Sequence, residues 1–176
     1  FYSQYMYVEM VKKAAKSDGI LTNEMCEFLN NKKNKTVHKL ALINALSWDF
    51  NGKDNFTVFL DFICESDKKV SHTNYKSQCS DVQLICLAYL KAMDNYFDVY
   101  DALVIADIAL TKHRKKLYSF HIVHALIKAQ YAFDYDWCDV FKATDEVRQN
   151  KKLKKDMVEE AVNSIFSYMD LYGGDC

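Results

Sequence analysis

Apolar residues recur at helical spacing through most of the chain, and short polar segments separate the periodic stretches. Leu40, Ile43 and Leu46, for example, fall on one face of a helix. The pattern predicts nine helices, at residues 2–16, 23–30, 37–46, 55–64, 81–93, 99–111, 117–132, 135–149 and 156–171. The stretch 81–93 is apolar on nearly every side, which indicates a central helix.

Several polar residues stand where helix caps are expected. Ser80 and Gln83 form a capping-box pattern at the start of the predicted central helix. Thr22 precedes the second predicted helix, and Gly19 suits a left-handed conformation after the first. We also expect aspartates at helix starts to act as N-caps, namely Asp54, Asp98 and Asp134.

Composition narrows the fold class. The chain of 176 residues contains no proline and four glycines, which fits long helices joined by short polar links. A β-sandwich or barrel needs more turn residues. An apolar helix, an acidic-aromatic turn and a second helix recur about every 36 to 47 residues, the spacing of HEAT and armadillo repeats. We therefore predict a single domain, 1–176, of all-α class: antiparallel helical hairpins in a HEAT/armadillo-like or α-α superhelical array.

The connectors between these helices alternate in charge. Segments 48–54, 94–98 and 133–136 are acidic and aromatic, whereas segments 31–35, 112–116 and 150–155 are basic. Successive connectors of an antiparallel array fall on opposite edges, so a net charge of -1 hides one acidic rim and one basic rim. Helix dipoles do not explain this, because each rim collects helix N- and C-termini alike. The alternation of charge therefore has two possible explanations, selection for binding and chance among short connectors.

The acidic rim is the stronger candidate for a binding surface. Phe97 and Phe133 occupy matching positions and are expected to be buried, whereas partly exposed Tyr and Trp beside carboxylates are typical of protein interfaces. The predicted partner-binding residues are Trp48, Asp49, Asp94, Tyr96, Asp98, Asp134, Tyr135, Asp136 and Trp137.

Candidate chemistry is sparse. His121 and His124 lie three residues apart on one predicted helix, but no third ligand is evident, so we predict no metal, no cofactor and no catalytic residue. The basic runs lack interleaved aromatic residues for base stacking, and we do not expect nucleic acid as the partner. A helical-repeat adaptor, and a nucleic-acid-binding protein that uses the basic rim, stay open as alternatives.

The cysteines and the apolar runs bear on location. Six cysteines include Cys64 and Cys86 inside apolar helical stretches, which favours buried free thiols over disulfides. No apolar run approaches the roughly 20 residues that span a bilayer. These features predict a cytoplasmic protein without a membrane partner.

One hairpin carries a resemblance to a known group of proteins. Residues 41–50 read Ala-Leu-Ile-Asn-Ala-Leu-Ser-Trp-Asp-Phe, and Asn55 and Phe56 follow. This segment resembles the first hairpin of helical immunity proteins, which bacteria pair with contact-dependent growth inhibition toxins and other polymorphic toxins. The resemblance implies a non-enzymatic, cytoplasmic bacterial protein. Such a protein binds a cognate toxin domain, for instance a nuclease, and occludes its active site.

Overall fold

Helices form every regular element in the described part of the chain, residues 1–49 and 52–176 of a computed structural model. The α-helices are α1 (Glu9–Ala14), α2 (Asn23–Asn30), α3 (Thr36–Ala45), α4 (Asn55–Ser66), α5 (Tyr75–Gln78), α6 (Asp81–Asp94), α7 (Tyr100–Lys112), α8 (Tyr118–Ala132), α9 (Trp137–Gln149) and α10 (Glu159–Met169). Two 3-10 helices, Tyr2–Tyr5 and Asp170–Asp175, flank them. The all-α prediction is confirmed.

Helix α6 lies at the centre of the array, as the sequence predicts. It packs against α3, α4, α7 and α8. Its residues from Leu84 to Leu90 are all buried, because no face of this helix meets solvent along that stretch. A second, smaller core joins α8, α9 and α10 to the C-terminal 3-10 helix around Ile122, Val140 and Phe166.

The predicted helix caps are confirmed in part. The Thr22 hydroxyl accepts a hydrogen bond from Met25 N at 3.4 Å. The capping box of α6 is present as expected. The aspartates behave differently: Asp54 makes no side-chain cap bond, and Val99 rather than Asp98 precedes α7.

The cap of α9 is displaced by two residues from its predicted position. Asp136, not Asp134, stands at the N-cap, and its Oδ1 accepts from Cys138 N at 2.8 Å. The prediction for Asp134 was wrong because the chain makes one further turn after α8. Tyr135 N donates to Ala132 O at 2.8 Å and closes this turn. Asp136 is therefore needed to start the helix.

Long-range hydrogen bonds shorten the first and last predicted helices. The chain is extended at Val8, so the stretch 2–16 splits into a 3-10 helix and α1. Buried Tyr5 uses its hydroxyl to accept from Val158 N at 3.1 Å. Asp156 accepts from Ser119 N at 2.8 Å and thereby caps α8, so α10 begins only at Glu159.

Buried Asn55 fixes the loop between α1 and α2. Its Oδ1 accepts from Leu21 N and its Nδ2 donates to Gly19 O, both at 2.9 Å. Gly19 has a φ of +77°, and a Cβ there would lie 2.9 Å from Leu46 O. Only glycine fits this position without strain.

The cysteines divide into two groups. Cys26, Cys79 and Cys86 are buried free thiols and Cys64 is a half-buried one, as predicted. Cys138 and Cys176 instead form a disulfide across a Cα–Cα distance of 4.9 Å. The preference for free thiols was wrong for this pair, because the C-terminal 3-10 helix returns to the start of α9.

None of the helices within 1–49 and 52–176 has both the length and the apolar character that a membrane span requires.

Candidate protein-binding surface

Three acidic connectors of the array meet at one end of the molecule, where hydrogen bonds join the first to the second and the second to the end of α8, which leads into the third. Asp49 N donates to Met93 O at 3.0 Å, and Tyr96 N donates to Asp49 O at 3.2 Å. Gln130, near the end of α8, donates from Nε2 to Tyr96 O at 3.2 Å. The gathering of the connectors follows from the antiparallel order of the helices. Two residues of the first connector, Phe50 and Asn51, lie outside the described part of the chain.

Aromatic rings pack edge to face across these connectors. Trp48 and Tyr96 lie 5.0 Å apart between ring centroids, at an interplanar angle of 81°. Phe133 and Tyr172 lie 5.4 Å apart, and Trp137 lies 6.2 Å from Tyr172. Such pairs fix the ring orientations, so the aromatic side chains form a surface of defined shape.

We call this end the acidic–aromatic surface and define it by Trp48, Asp49, Tyr96, Phe97, Asp98, Tyr100, Tyr131, Phe133, Asp134, Tyr135, Asp136, Trp137, Tyr168 and Tyr172. Several of its rings face solvent, most of all Tyr135 at 74% exposure and Phe97 at 70%. The expectation that Phe97 is buried was wrong. Phe133, its counterpart, is half-buried.

The carboxylates of the surface differ in what they do. Asp98 and Asp134 are exposed and form no salt bridge with a described residue. Asp49 lies 3.5 Å from Lys53 Nζ, and Asp136 is engaged as the cap of α9. Asp98 and Asp134 are therefore the carboxylates best placed to meet a cation on a partner.

Asp94 does not reach this surface. It is 5% exposed, at the end of α6, and its Oδ2 accepts from Phe56 N at 2.7 Å. Its Oδ1 is buried without a hydrogen-bond partner among the described residues. The side chain thus caps the start of α4 from another helix, in place of Asp54, and its role is structural.

Burial raises the pKa of Asp94, against the opposing effect of hydrogen bonds from Phe56 and Asn55. At a pH between the usual pKa of an aspartate and this raised pKa, Asp94 is protonated in the folded chain and ionised in the unfolded chain. Its contribution to stability therefore grows as the pH falls through the folded pKa and is lost as the pH rises. At neutral pH, the buried charge of Asp94 destabilises the folded chain, and the hydrogen bond from the Phe56 amide offsets this cost only in part.

We expect Asp94→Asn to be at least as stable as the parent chain at pH 7, because asparagine keeps an acceptor for the Phe56 amide and removes the charge. Asp94→Ala leaves that amide unpaired and should lower the free energy of unfolding by about 1–3 kcal/mol. Urea denaturation from pH 7 to pH 4 measures both. As the pH falls, the difference in the free energy of unfolding between Asp94→Asn and the parent should become smaller. A difference that becomes larger would contradict the raised pKa.

A cleft opens between the aromatic rings. Its volume is about 220 Å³, and Trp48, Tyr96, Phe133 and Tyr172 contribute to its walls together with apolar residues of α8 and α10. Typical small-molecule sites occupy roughly 300–1,000 Å³. The cleft is smaller, and its size fits an apolar side chain of a protein partner better than a whole ligand.

The structure adds three tyrosines that the sequence did not mark as part of the surface, namely Tyr131, Tyr168 and Tyr172. Tyr100 and Tyr131 pack together at 5.9 Å, and Tyr168 and Tyr172 at 5.6 Å. Helix α10 runs in the same direction as α8, because Asp156 before α10 bonds to Ser119 at the start of α8. Tyr168 near the end of α10 and Tyr172 in the 3-10 helix that follows therefore arrive at the same end. Two signals in the sequence could have indicated these tyrosines. One is the alternating direction of successive helices, and the other is the spacing of four residues between Tyr168 and Tyr172.

The two histidines considered for metal chemistry have different surroundings. His124 Nε2 is 2.7 Å from Asp107, and burial lowers the pKa of His121, as do the nearby charges of His113, His124 and Lys116. Within the described residues, no three His, Cys, Asp or Glu side chains are grouped to hold a metal ion.

Comparison of the chain with models of protein families, with curated proteins and with solved structures gives no match.

Proposed function

We propose that this chain is a non-enzymatic protein-binding module that holds a basic protein partner on its acidic–aromatic surface. The observation that carries the proposal is the meeting of exposed aromatic rings with unpaired carboxylates at one end. Tyr135 and Trp137 are 74% and 53% exposed, and Asp98 and Asp134 lie nearby without a cation from the described residues.

Each feature has a distinct part in binding. Tyr and Trp bury a large area at a small cost in side-chain entropy, and they dominate the affinity of many protein interfaces. Carboxylates speed the approach of a basic partner and disfavour acidic competitors. The aromatic cleft of about 220 Å³ would receive one apolar side chain of the partner at the centre of the interface.

Within this class, we propose an immunity protein that neutralises a cognate bacterial toxin in the cytoplasm. The resemblance of the segment 41–50 to helical immunity proteins supports it. So does the position of that segment, because α3 ends there and delivers Trp48 to the surface. A basic nuclease domain is the partner whose charge fits. Occupation of its cationic active site by Asp98 and Asp134 would block the substrate.

Two aromatic truncations test the surface. We expect Tyr135→Ala and Trp137→Ala each to weaken binding by about thirtyfold or more, the effect of losing an interface hot spot of about 2 kcal/mol. The measurement is calorimetric titration with the purified product of the adjacent gene. Tyr7→Ala is the matched control, since Tyr7 is 71% exposed and does not belong to the acidic–aromatic surface.

The same titration should include the charge reversals Asp98→Lys and Asp134→Lys, with Glu65→Lys on α4 as their control. Asp136 is not used, because its loss would also uncap α9. If the surface variants and the controls bind the partner with equal affinity, the acidic–aromatic surface is not the binding site. Failure of the neighbouring product to bind the parent chain would refute the immunity assignment.

A further inference from the structure

The basic connectors meet at the end opposite to the acidic–aromatic surface. Lys154 N donates to Lys116 O at 2.8 Å, and Tyr118 N donates to Lys154 O at 2.9 Å. The connectors before α8 and before α10 therefore lie side by side, as the sequence suggests for neighbouring hairpins. Helix α6, with 14 residues, spans about 21 Å from this end to the other.

A cleft of about 730 Å³ lies between these connectors and the one before α3. Its volume is in the range of small-molecule sites. Six lysines contribute to its walls: Lys32, Lys33, Lys35, Lys39, Lys115 and Lys154. We call it the basic cleft.

Both carboxylates in the walls of the basic cleft already have partners. Asp81 Oδ2 lies 2.7 Å from His113 Nδ1. Since His113 Nε2 accepts from Leu117 N at 3.1 Å, its Nδ1 carries the proton and donates to Asp81. Asp156 accepts from both the amide and the hydroxyl of Ser119. The six lysines therefore outnumber the two carboxylates, and none of these lysines forms a salt bridge with a described residue.

The start of α3 forms part of the same wall and is uncapped. Lys35 stands at the N-cap and offers no side-chain acceptor. The first-turn amides of Thr36 and Val37, two residues that line the cleft, have no acceptor among the described residues. Unpaired amides and the positive end of the helix dipole together favour an anion at this point.

Lys39 lies one turn further along α3 and is the unusual member of the lysine group. It lines the cleft although it is only 3% exposed, and its Nζ has no hydrogen-bond or ion-pair partner in the described chain. Desolvation lowers the pKa of its ammonium group. The nearby Cys86 thiol does not neutralise it, because burial raises the pKa of Cys86 to about 12. Lys39 Nζ is not among the fully buried side-chain atoms that lack a hydrogen-bond partner, so the ammonium group meets the solvent of the cleft and is open to an anion.

We propose that the basic cleft binds the phosphate group of a phosphorylated small molecule, held by the Lys39 ammonium and the free amides of Thr36 and Val37. The phosphate accepts hydrogen bonds from groups that otherwise have none and supplies the missing negative charge. Lys35, Lys115 and Lys154, which are exposed in the walls of the cleft, attract the anion. This site does not depend on the proposed function of the other end.

The walls of the cleft favour a small molecule over a nucleic-acid strand. None of the residues that line it is aromatic, so it offers no platform for stacked bases. Lys39 is also only 3% exposed, so a terminal phosphate reaches it more readily than a continuous backbone does.

Titration of the full chain with pyrophosphate at constant ionic strength tests the site. We expect saturable one-to-one binding, weakened roughly tenfold or more in Lys39→Met, because a hydrogen bond to a charged group is lost. The methionine variant should fold, since it removes a desolvated charge and keeps an unbranched apolar chain. Lys69→Met, an exposed lysine away from the cleft, should bind as the parent does.

Amide NMR of the parent chain provides a readout that needs no variant. The Thr36 and Val37 signals should shift on addition of pyrophosphate and follow the same binding curve. Absence of saturable binding, parent-like affinity in Lys39→Met, or unshifted Thr36 and Val37 signals would each overturn the proposal. A single-stranded RNA without terminal phosphates that binds more tightly than pyrophosphate would also overturn it.

Discussion

Replacement of Asn55 by alanine is expected to lower the free energy of unfolding by about 3 kcal/mol. The variant leaves two buried backbone groups, Leu21 N and Gly19 O, without their hydrogen-bond partners. Each orphaned group costs roughly 1–3 kcal/mol. The two bonds join residues 34 and 36 positions apart, so their loss also frees the loop between α1 and α2 from α4.

Urea denaturation followed by circular dichroism measures this effect. Asn163→Ala is the matched control, because Asn163 is exposed on α10 and should change stability by less than about 0.5 kcal/mol. Asn55→Asp keeps an acceptor for Leu21 N, but it loses the donor to Gly19 O and places a second carboxylate beside Asp94, so it should be less stable than the parent. An Asn55→Ala variant as stable as the control would show that the loop bonds are dispensable.

The all-α fold was predictable because helix formation here follows from local pattern. Helix α2 has the predicted bounds, Asn23–Asn30, since its cap and its apolar face are both encoded within ten residues. The central position of α6 was also evident, because a helix that is apolar on every face needs neighbours on every side.

The boundaries set by distant residues were not predictable. Nothing between Tyr2 and Lys16 breaks a helix by composition, yet the chain opens at Val8 and places Tyr5 against Val158 N. That hydrogen bond joins residues 153 positions apart. The short helix α5 was missed for a related reason: its preceding loop is held by contacts such as Ser71 N to Gln78 Oε1, which no periodicity reveals.

The candidate surface was predictable in its position and less so in its members. Antiparallel order alone brings the acidic connectors together. Whether a given side chain points in or out depends on its place in the turn, so Asp94 at the end of α6 is buried and Phe97 three residues later is exposed. The sequence treats both as residues of one acidic-aromatic turn.

The environment of Lys39, in contrast, cannot be predicted from the local sequence pattern. Lys39 stands within the mainly apolar run of α3, where a lysine is commonly assumed to extend to solvent. Only the packing of α3 against α6 and α8 shows that it is enclosed and directed to the basic cleft. The two charged ends thus differ in kind: one exposes aromatic rings and carboxylates, and the other has a lysine without an ion-pair partner in the wall of a cleft.

The disulfide between Cys138 and Cys176 is expected to contribute about 3–4 kcal/mol to stability under oxidising conditions. It joins two residues 38 positions apart, with most of α9 and all of α10 between them, and the loss of chain entropy in the unfolded state grows with that length. Reduction, or Cys176→Ser, should lower the free energy of unfolding accordingly. The C-terminal 3-10 helix would then also hold Tyr172 less firmly against Phe133 and Trp137.

Thiol titration of the denatured, unreduced chain comes first, and it should find four of the six cysteines reactive. Denaturation with and without dithiothreitol then measures the stability difference. Cys64→Ser is the control, because its half-buried thiol is free and the sensitivity to reductant should persist in that variant. Six reactive thiols would rule out the bond. In a reducing cytoplasm the pair would be open, so the acidic–aromatic surface would depend there on ring packing and on the hydrogen bonds between its connectors.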